Sequence, residues 1–189
     1  VVNEVPIDND YDIRVFDSPE ELQSAIMEKN DNQSLGISRL TATYDWEYSS
    51  QSKPKDSDYW CVRIGDWSCP WNRQLAKEKE SKHLSWIEQS QTIHEIGSTF
   101  TVQGFDLNYV GVIIGPSVKY RDGKIIFDIS ESKNKSAVQN RKLESGEMIN
   151  YGETLLRNEL NVLLTRGVNG LYVYAVDEEL QQALKNATK

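Results

Sequence analysis

Apolar positions along this chain fall into two patterns, the spacing of a helix face and the unbroken run of a buried strand. The first ten residues are polar and acidic and read as a lead-in. Ile13 to Phe16 is a short apolar run that predicts a strand, and Ser18-Pro19-Glu20-Glu21 behind it has the chemistry of a helix start. The Ser18 hydroxyl can cap free backbone N–H groups, Pro19 suits the first helical position, and Glu21 can reach back to close a capping box. Leu22, Ala25 and Ile26 supply the apolar face before Lys29-Asn30 ends the helix. Leu35 to Tyr44, rich in β-branched and aromatic residues, predicts a second strand.

Tyr44 to Lys79 breaks the rhythm. It holds four of the five tryptophans (Trp46, Trp60, Trp67 and Trp71) and a polar stretch from Ser49 to Asp58. The expectation is a long irregular excursion with one short strand near Trp60 to Ile64. Regularity returns with an amphipathic segment through Leu84, Trp86 and Ile87, and a short strand or turn at Ile93 to Gly97. Tyr109 to Gly115 predicts a buried strand. Arg121-Asp122-Gly123, a turn signal between two apolar runs, predicts a β-hairpin across Val118 to Phe127. Ser132 to Ser145 carries Lys133, Lys135, Arg141 and Lys142 and reads as helical or partly mobile.

Glu153 to Arg166 is the best helix in the chain, with Leu156, Leu160, Leu163 and Leu164 on one face and Gly167 as its stop. Leu171 to Val176 predicts a strand, and Asp177 caps a closing helix through Lys185. Helices alternating with continuously apolar strands predict an α/β domain with a mainly parallel sheet covered on both faces. Functional residues in such sheets sit in loops beyond the carboxyl ends of strands. That rule points to the loops after Thr43, Gly97 and Ile114, and to the turn joining the long helix to its strand.

Length and charge narrow the reading. The 189 residues suit a single domain able to bury about 70% of its unfolded surface. The 21 basic against 29 acidic residues, a formal charge of -8, argue against a free-standing, high-affinity nucleic-acid binder. One face can still touch nucleic acid while a partner supplies cations. No apolar run approaches the ~20 residues of a membrane helix. Cys61 and Cys69 make neither a disulfide framework nor a zinc spacing, and with only His83 and His94 beside them no metal site is expected. A reduced, cytoplasmic setting follows as the expectation. The chain starts at Val1 without a signal-peptide pattern and reads as a piece of something longer.

Two segments place polar groups beside a buried strand. Ser98-Thr99-Phe100-Thr101-Val102-Gln103-Gly104-Phe105-Asp106 precedes the strand at Tyr109, and Leu160-Asn161-Val162-Leu163-Leu164-Thr165-Arg166-Gly167 precedes the strand at Leu171. The first offers a glycine where backbone can approach an anion, with an amide and a carboxylate on either side. The second offers one guanidinium, the side chain best suited to clamping a phosphoryl group. Each has a plainer explanation: a cation at a helix end stabilises the helix by ~0.3–1 kcal/mol with no further role, and Gln103-Gly104 suits an ordinary turn.

Taken together these segments resemble motifs V and VI of superfamily 1 helicases, which lie in the second, carboxyl-terminal RecA-like motor domain. Tyr11 to Asp17 and Ile64-Gly65-Asp66-Trp67-Ser68, with Pro70-Trp71-Asn72 behind it, extend the likeness. The four segments in order resemble a largely uncharacterised bacterial family of helicase-like P-loop ATPases related to the helicase portion of Schlafen proteins. The resemblance implies a single RecA-like domain over 1–189, with a β-hairpin and the tryptophan-rich excursion as insertions. It implies Arg166 as the catalytic arginine finger, Gln103 and Gly104 as lining of the nucleotide cleft, and Asp106 as the contact to the ribose. Ser98 falls where motif V meets a nucleic-acid phosphate, and Trp46 is the best candidate for stacking on a base. Trp67 and Trp71 read as packing anchors.

The implied cofactor is ATP with magnesium, and the implied partners are an amino-terminal RecA-like domain of the same parent chain and DNA or RNA, with no membrane. No G-x-x-x-x-G-K-[ST] is present, so the P-loop belongs to the missing half and this chain alone is not expected to hydrolyse ATP. The usual motif IV arginine is replaced by Tyr44-Asp45-Trp46, with Lys53 or Lys55 as substitutes. Asp45, Asp66 and Asp128 suggest no paired-carboxylate site. The alternative is a non-catalytic protein-interaction module of RecA-like shape.

Overall fold

The computed structural model describes residues 11–32, 36–76, 79, 81 and 83–188. The lead-in at 1–10 and the start of the second predicted strand at Leu35 lie outside them. In chain order the elements begin with β1 (Asp12–Val15), α1 (Pro19–Asp31), β2 (Ser38–Ala42) and a hairpin of β3 (Cys61–Ile64) and β4 (Trp67–Pro70). Two short 3-10 turns, Trp86–Glu88 and Ser90–His94, lead to α2 (Thr99–Val102) and β5 (Leu107–Ile114). A second hairpin, β6 (Val118–Arg121) and β7 (Lys124–Phe127), is followed by α3 (Lys135–Val138) and the two-residue strands β8 (Arg141–Lys142) and β9 (Met148–Ile149). The chain closes with α4 (Gly152–Leu164), β10 (Gly167–Ala175) and α5 (Glu178–Ala187).

The central sheet has the order β1-β10-β5-β2, and every pairing in it is parallel. Alternation along β5 explains why the strand reads as an unbroken apolar run. Val110, Val112 and Ile114 face a core completed by Leu160 and Leu163 of α4, Leu180 of α5 and Trp86. Tyr109 and Ile113 face the opposite core, with Leu22 and Ile26 of α1, Tyr172, Trp67 and Trp71. Both faces are covered, as a parallel sheet requires. This is a RecA-like α/β layout.

The local chemistry at helix starts matches its prediction closely. Ser18 Oγ accepts from the Glu21 N–H at 3.2 Å, and Asp177 Oδ1 accepts from the Leu180 N–H at 3.0 Å. The Glu21 carboxylate reaches one residue further back than a capping box, accepting from the Asp17 N–H at 3.3 Å. At the predicted hairpin turn Asp122 and Gly123 take φ values of 51° and 75°, a pair of left-handed residues whose twist suits a two-residue loop.

Three expectations are corrected. The tryptophan-rich stretch holds two strands rather than one, and it extends the sheet. Gly97 N–H donates to Leu40 O at 2.9 Å, and Ile96 N–H donates to Pro70 O at 2.8 Å, so the β3–β4 hairpin is joined to β2 through Ile96-Gly97. The period of two is there, with Trp67 and Cys69 buried and Ser68 exposed, but β4 is too short to announce it. Second, 132–145 is neither one helix nor wholly irregular: it holds one turn of α3 and the edge strand β8. Third, α4 ends at Leu164, and Gly167 begins β10 instead of stopping the helix, because its backbone pairs with Leu107. Among the described residues no helix is long and apolar enough to cross a membrane.

Candidate functional site

Register brings the two motif segments together. Gly167 pairs with Leu107, so the residues before each, Arg166 and Asp106, meet at the amino ends of β10 and β5. The Leu107 N–H donates to Arg166 O at 2.8 Å and fixes the backbone of the arginine to the start of β5. Thr165 closes α4, its hydroxyl donating to Asn161 O at 2.8 Å. The guanidinium then folds over this helix end. Its Nε donates to Val162 O at 2.9 Å, Nη1 reaches Phe105 O at 3.5 Å, and Nη1 lies 3.7 Å from Asp106 Oδ1. The side chain is 23% exposed, against 73% for Asp106.

Gln103 ends the short α2, its N–H donating to Thr99 O at 3.0 Å. Gly104 then adopts φ +85°, a conformation that favours glycine, with no atom within 4 Å of where a Cβ would stand. This turn aims the Phe105 carbonyl and the Asp106 carboxylate at the arginine. On the other side, a Cβ at Gly167 would come 2.1 Å from Gly170 O, so the glycine after Arg166 is demanded by a close backbone approach. Gln103, Gly104 and Asp106 are all exposed, and with Arg166 they make an open polar corner that an anion can approach.

Arg166 and Asp106 lie at the amino ends of β10 and β5, the arginine in the turn joining the long helix to its strand, and not at the carboxyl ends that the rule for open parallel sheets names. That rule describes a ligand held in the crevice of one sheet; here the polar residues precede their strands because α2 and α4 end there. Ser98 is not at this corner. It follows Gly97 beside β2, is fully buried, and its hydroxyl donates to Asn72 Oδ1 at 3.0 Å. Trp46 is half-buried; its indole N–H donates to Arg63 O at 3.2 Å and its ring stands edge-on to Trp71 at 6.4 Å. Trp71 is fully buried and Trp67 nearly so, in their predicted packing role.

The carboxyl ends of β2 and β5 hold two buried carboxylates that sequence reasoning did not join. Asp45 Oδ2 accepts from the Thr43 hydroxyl at 2.9 Å and the Ser117 N–H at 3.1 Å, while Oδ1 has no hydrogen-bond partner. Glu159, from α4, accepts from the Tyr44 N–H at 2.5 Å and from the Asn134 amide at 3.3 Å. Burial pushes the Glu159 carboxyl up to about 7, with the Asp45 charge adding to the rise, and burial also raises Asp45. A signal exists in the sequence: Glu159 sits among Leu156, Leu160 and Leu163 on the apolar face of its helix. Among the described residues no group of three metal-binding side chains gathers.

The RecA-like α/β sheet thus brings an arginine and a Gln-Gly turn together at the starts of adjacent strands. Residues 2–177 match the Schlafen group 3 DNA/RNA helicase domain, and the chain belongs to that family. It is 36% identical over 181 residues to the uncharacterized protein YPL245W of Saccharomyces cerevisiae, an alignment covering 95% of this chain and 37% of that relative. The chain thus spans little more than a third of the relative's length. No solved structure is a significant match.

Proposed function

We propose that this chain acts as the second RecA-like domain of a nucleic-acid-dependent ATPase of the helicase or translocase kind, working in the cytoplasm. ATP and its magnesium are held by an amino-terminal RecA-like domain of the same parent chain, and DNA or RNA is the other partner. Arg166 supplies positive charge to the phosphoryl oxygens at the transition state, where charge spreads and a fixed guanidinium is most effective. Gln103 and Gly104 line the nucleotide, the glycine because nothing stands beside it to block approach. Asp106 turns from Arg166 to a ribose hydroxyl.

The observation that carries this reading is the meeting of a part-buried Arg166 with the exposed Gln103–Asp106 turn just before adjacent strands. Nucleic acid passes over the Trp46 side of the sheet. Ser98, being buried, contributes by holding Asn72 in place rather than by touching a phosphate. The test is Arg166→Ala in the full-length parent protein: ATP binding measured by titration persists, while steady-state turnover falls by ~10³–10⁵. Turnover at the unmodified rate would refute the assignment.

A further inference from the structure

The tryptophan-rich segment lines an open pocket of about 510 Å³, within the size range of small-molecule sites. Trp46, Tyr59 and Trp60 line it. The two indoles are held rigidly: Trp46 donates to Arg63 O at 3.2 Å, and Trp60 donates to Ser52 O at 2.9 Å. The Trp60 backbone is bound on both sides, its N–H donating to Gln74 Oε1 at 3.1 Å and its carbonyl accepting from the Trp71 N–H at 2.9 Å. With their indole N–H groups committed to backbone carbonyls, these pocket-lining rings have less freedom left to lose on binding.

The charges around the cavity select among occupants. Lys55 and Arg63 line it, and so do Glu47 and Asp56. A bare phosphate would meet two carboxylates, and a quaternary ammonium would meet two cations. A nucleotide within a single strand uses both signs: its phosphate suits the cations, the amino groups of its base suit the carboxylates, and its ring stacks on indole. We propose that this cavity receives one base of a single-stranded nucleic acid, with the adjoining phosphate held by Lys55 and Arg63.

A row of ring contacts leads toward the cavity from α2. The Phe100 ring, on a residue 57% exposed, stands 5.8 Å from Tyr44, which stands 5.1 Å from Trp71, which in turn packs on Trp46. Phe100 therefore offers a second stacking face at the far end of the same row. The inference rests on the nucleic-acid half of the proposed function and is independent of the ATPase half.

The experiment is fluorescence anisotropy of the full-length protein with a labelled single-stranded oligonucleotide, in DNA and RNA forms, without ATP. Trp60→Ala weakens binding ~5- to 150-fold, and Trp60→Phe recovers much of it. Lys55→Ala weakens binding less and lowers the magnitude of the logarithmic salt dependence by about one. An abasic oligonucleotide gains nothing from Trp60 and binds wild type and Trp60→Ala alike. Equal affinity of wild type, Trp60→Ala and Lys55→Ala for the normal oligonucleotide overturns the proposal. So does a trimethyl-lysine peptide that occupies the cavity and is lost with Trp60 while oligonucleotide binding is untouched. If Trp60→Ala shows a collapsed thermal melt, Lys55→Ala and the abasic comparison decide alone. Because no ATP is present, failure here leaves the Arg166 assignment standing, and normal turnover by Arg166→Ala leaves this proposal standing.

Discussion

At the amino ends of β5 and β10 the Arg166 guanidinium and the Asp106 carboxylate stand at the surface, whereas at the carboxyl ends of β2 and β5 the Asp45 and Glu159 carboxylates are buried. The first corner is tied chiefly through backbone groups: α4 ends, the Leu107 N–H binds the arginine carbonyl, and the arginine side chain adds a bond to Val162 O. At the second corner the side chains are themselves the ties. Glu159 joins α4 to the chain after β2 and to Asn134, and Asp45 joins β2 to the turn before β6. A corner held by backbone can change its polar side chains at little cost in stability, which suits groups that engage a ligand. A corner held by buried carboxylates cannot, and its residues serve cohesion.

Substitutions at the two corners sharpen that contrast. The largest effect is on chemistry and not on folding: Arg166→Ala raises the barrier to turnover by about 4–7 kcal/mol, the equivalent of the rate loss above. Its unfolding free energy, measured by urea denaturation, falls by no more than about 1 kcal/mol, the usual worth of a helix-end cation. A variant that lost folding and turnover together would erase the distinction between the corners.

Next comes Trp71→Ala, which empties a fully buried site shared by the β3–β4 hairpin and the central sheet. It destabilises the protein by about 3–5 kcal/mol in equilibrium unfolding. Trp46 packs on that ring, so the indole environment of the cavity changes too, visible as a shift in tryptophan emission.

A pH titration of stability probes the buried corner more gently. Glu159 titrates near 7 in the folded protein against an ordinary 4.5, so between those values the folded chain keeps a proton that the unfolded chain has released. Stability therefore falls as pH rises from about 4.5 to about 7, by on the order of 3 kcal/mol, and Asp45 acts with the same sign. Glu159→Gln flattens this slope. A slope unchanged in that variant would place the titration elsewhere.

The smallest effect is expected at Asp106→Asn. Its ion pair with Arg166 is long and exposed, so unfolding free energy moves by less than about 0.5 kcal/mol. A larger loss would show that the carboxylate holds the corner after all.

The comparison also shows which parts of the molecule can be read from its sequence. Ser18, Asp177 and Asp122-Gly123 act on residues within three positions of themselves, so their chemistry declares itself locally. The leucine face of α4 and the unbroken run of β5 are legible because periodicity alone encodes which sides are buried. Motif spacing marks Gln103, Gly104, Asp106 and Arg166, but not that Phe105 O and Asp106 would both lie against the guanidinium, 61 positions away in the case of Phe105. Of the β3–β4 hairpin only the first strand is legible, for a related reason. Its strands are four residues long, and their link to the sheet runs through Ile96-Gly97, which read only as a short strand or turn.

By itself the sequence determined where α1, α4 and α5 begin, which strands are buried on both faces, and which polar residues stand at helix ends beside them. These follow from interactions among near neighbours and from the periodicity of apolar side chains. Only the tertiary structure decided that Glu159 would be buried against the Tyr44 N–H, 115 positions away, and that Trp46 and Trp60 would wall one cavity. A carboxylate on a leucine face or a tryptophan in a polar loop has no fixed environment until strand register and packing supply one. The burial that raises the acid, and the backbone carbonyls that anchor the indoles, exist only in the folded chain.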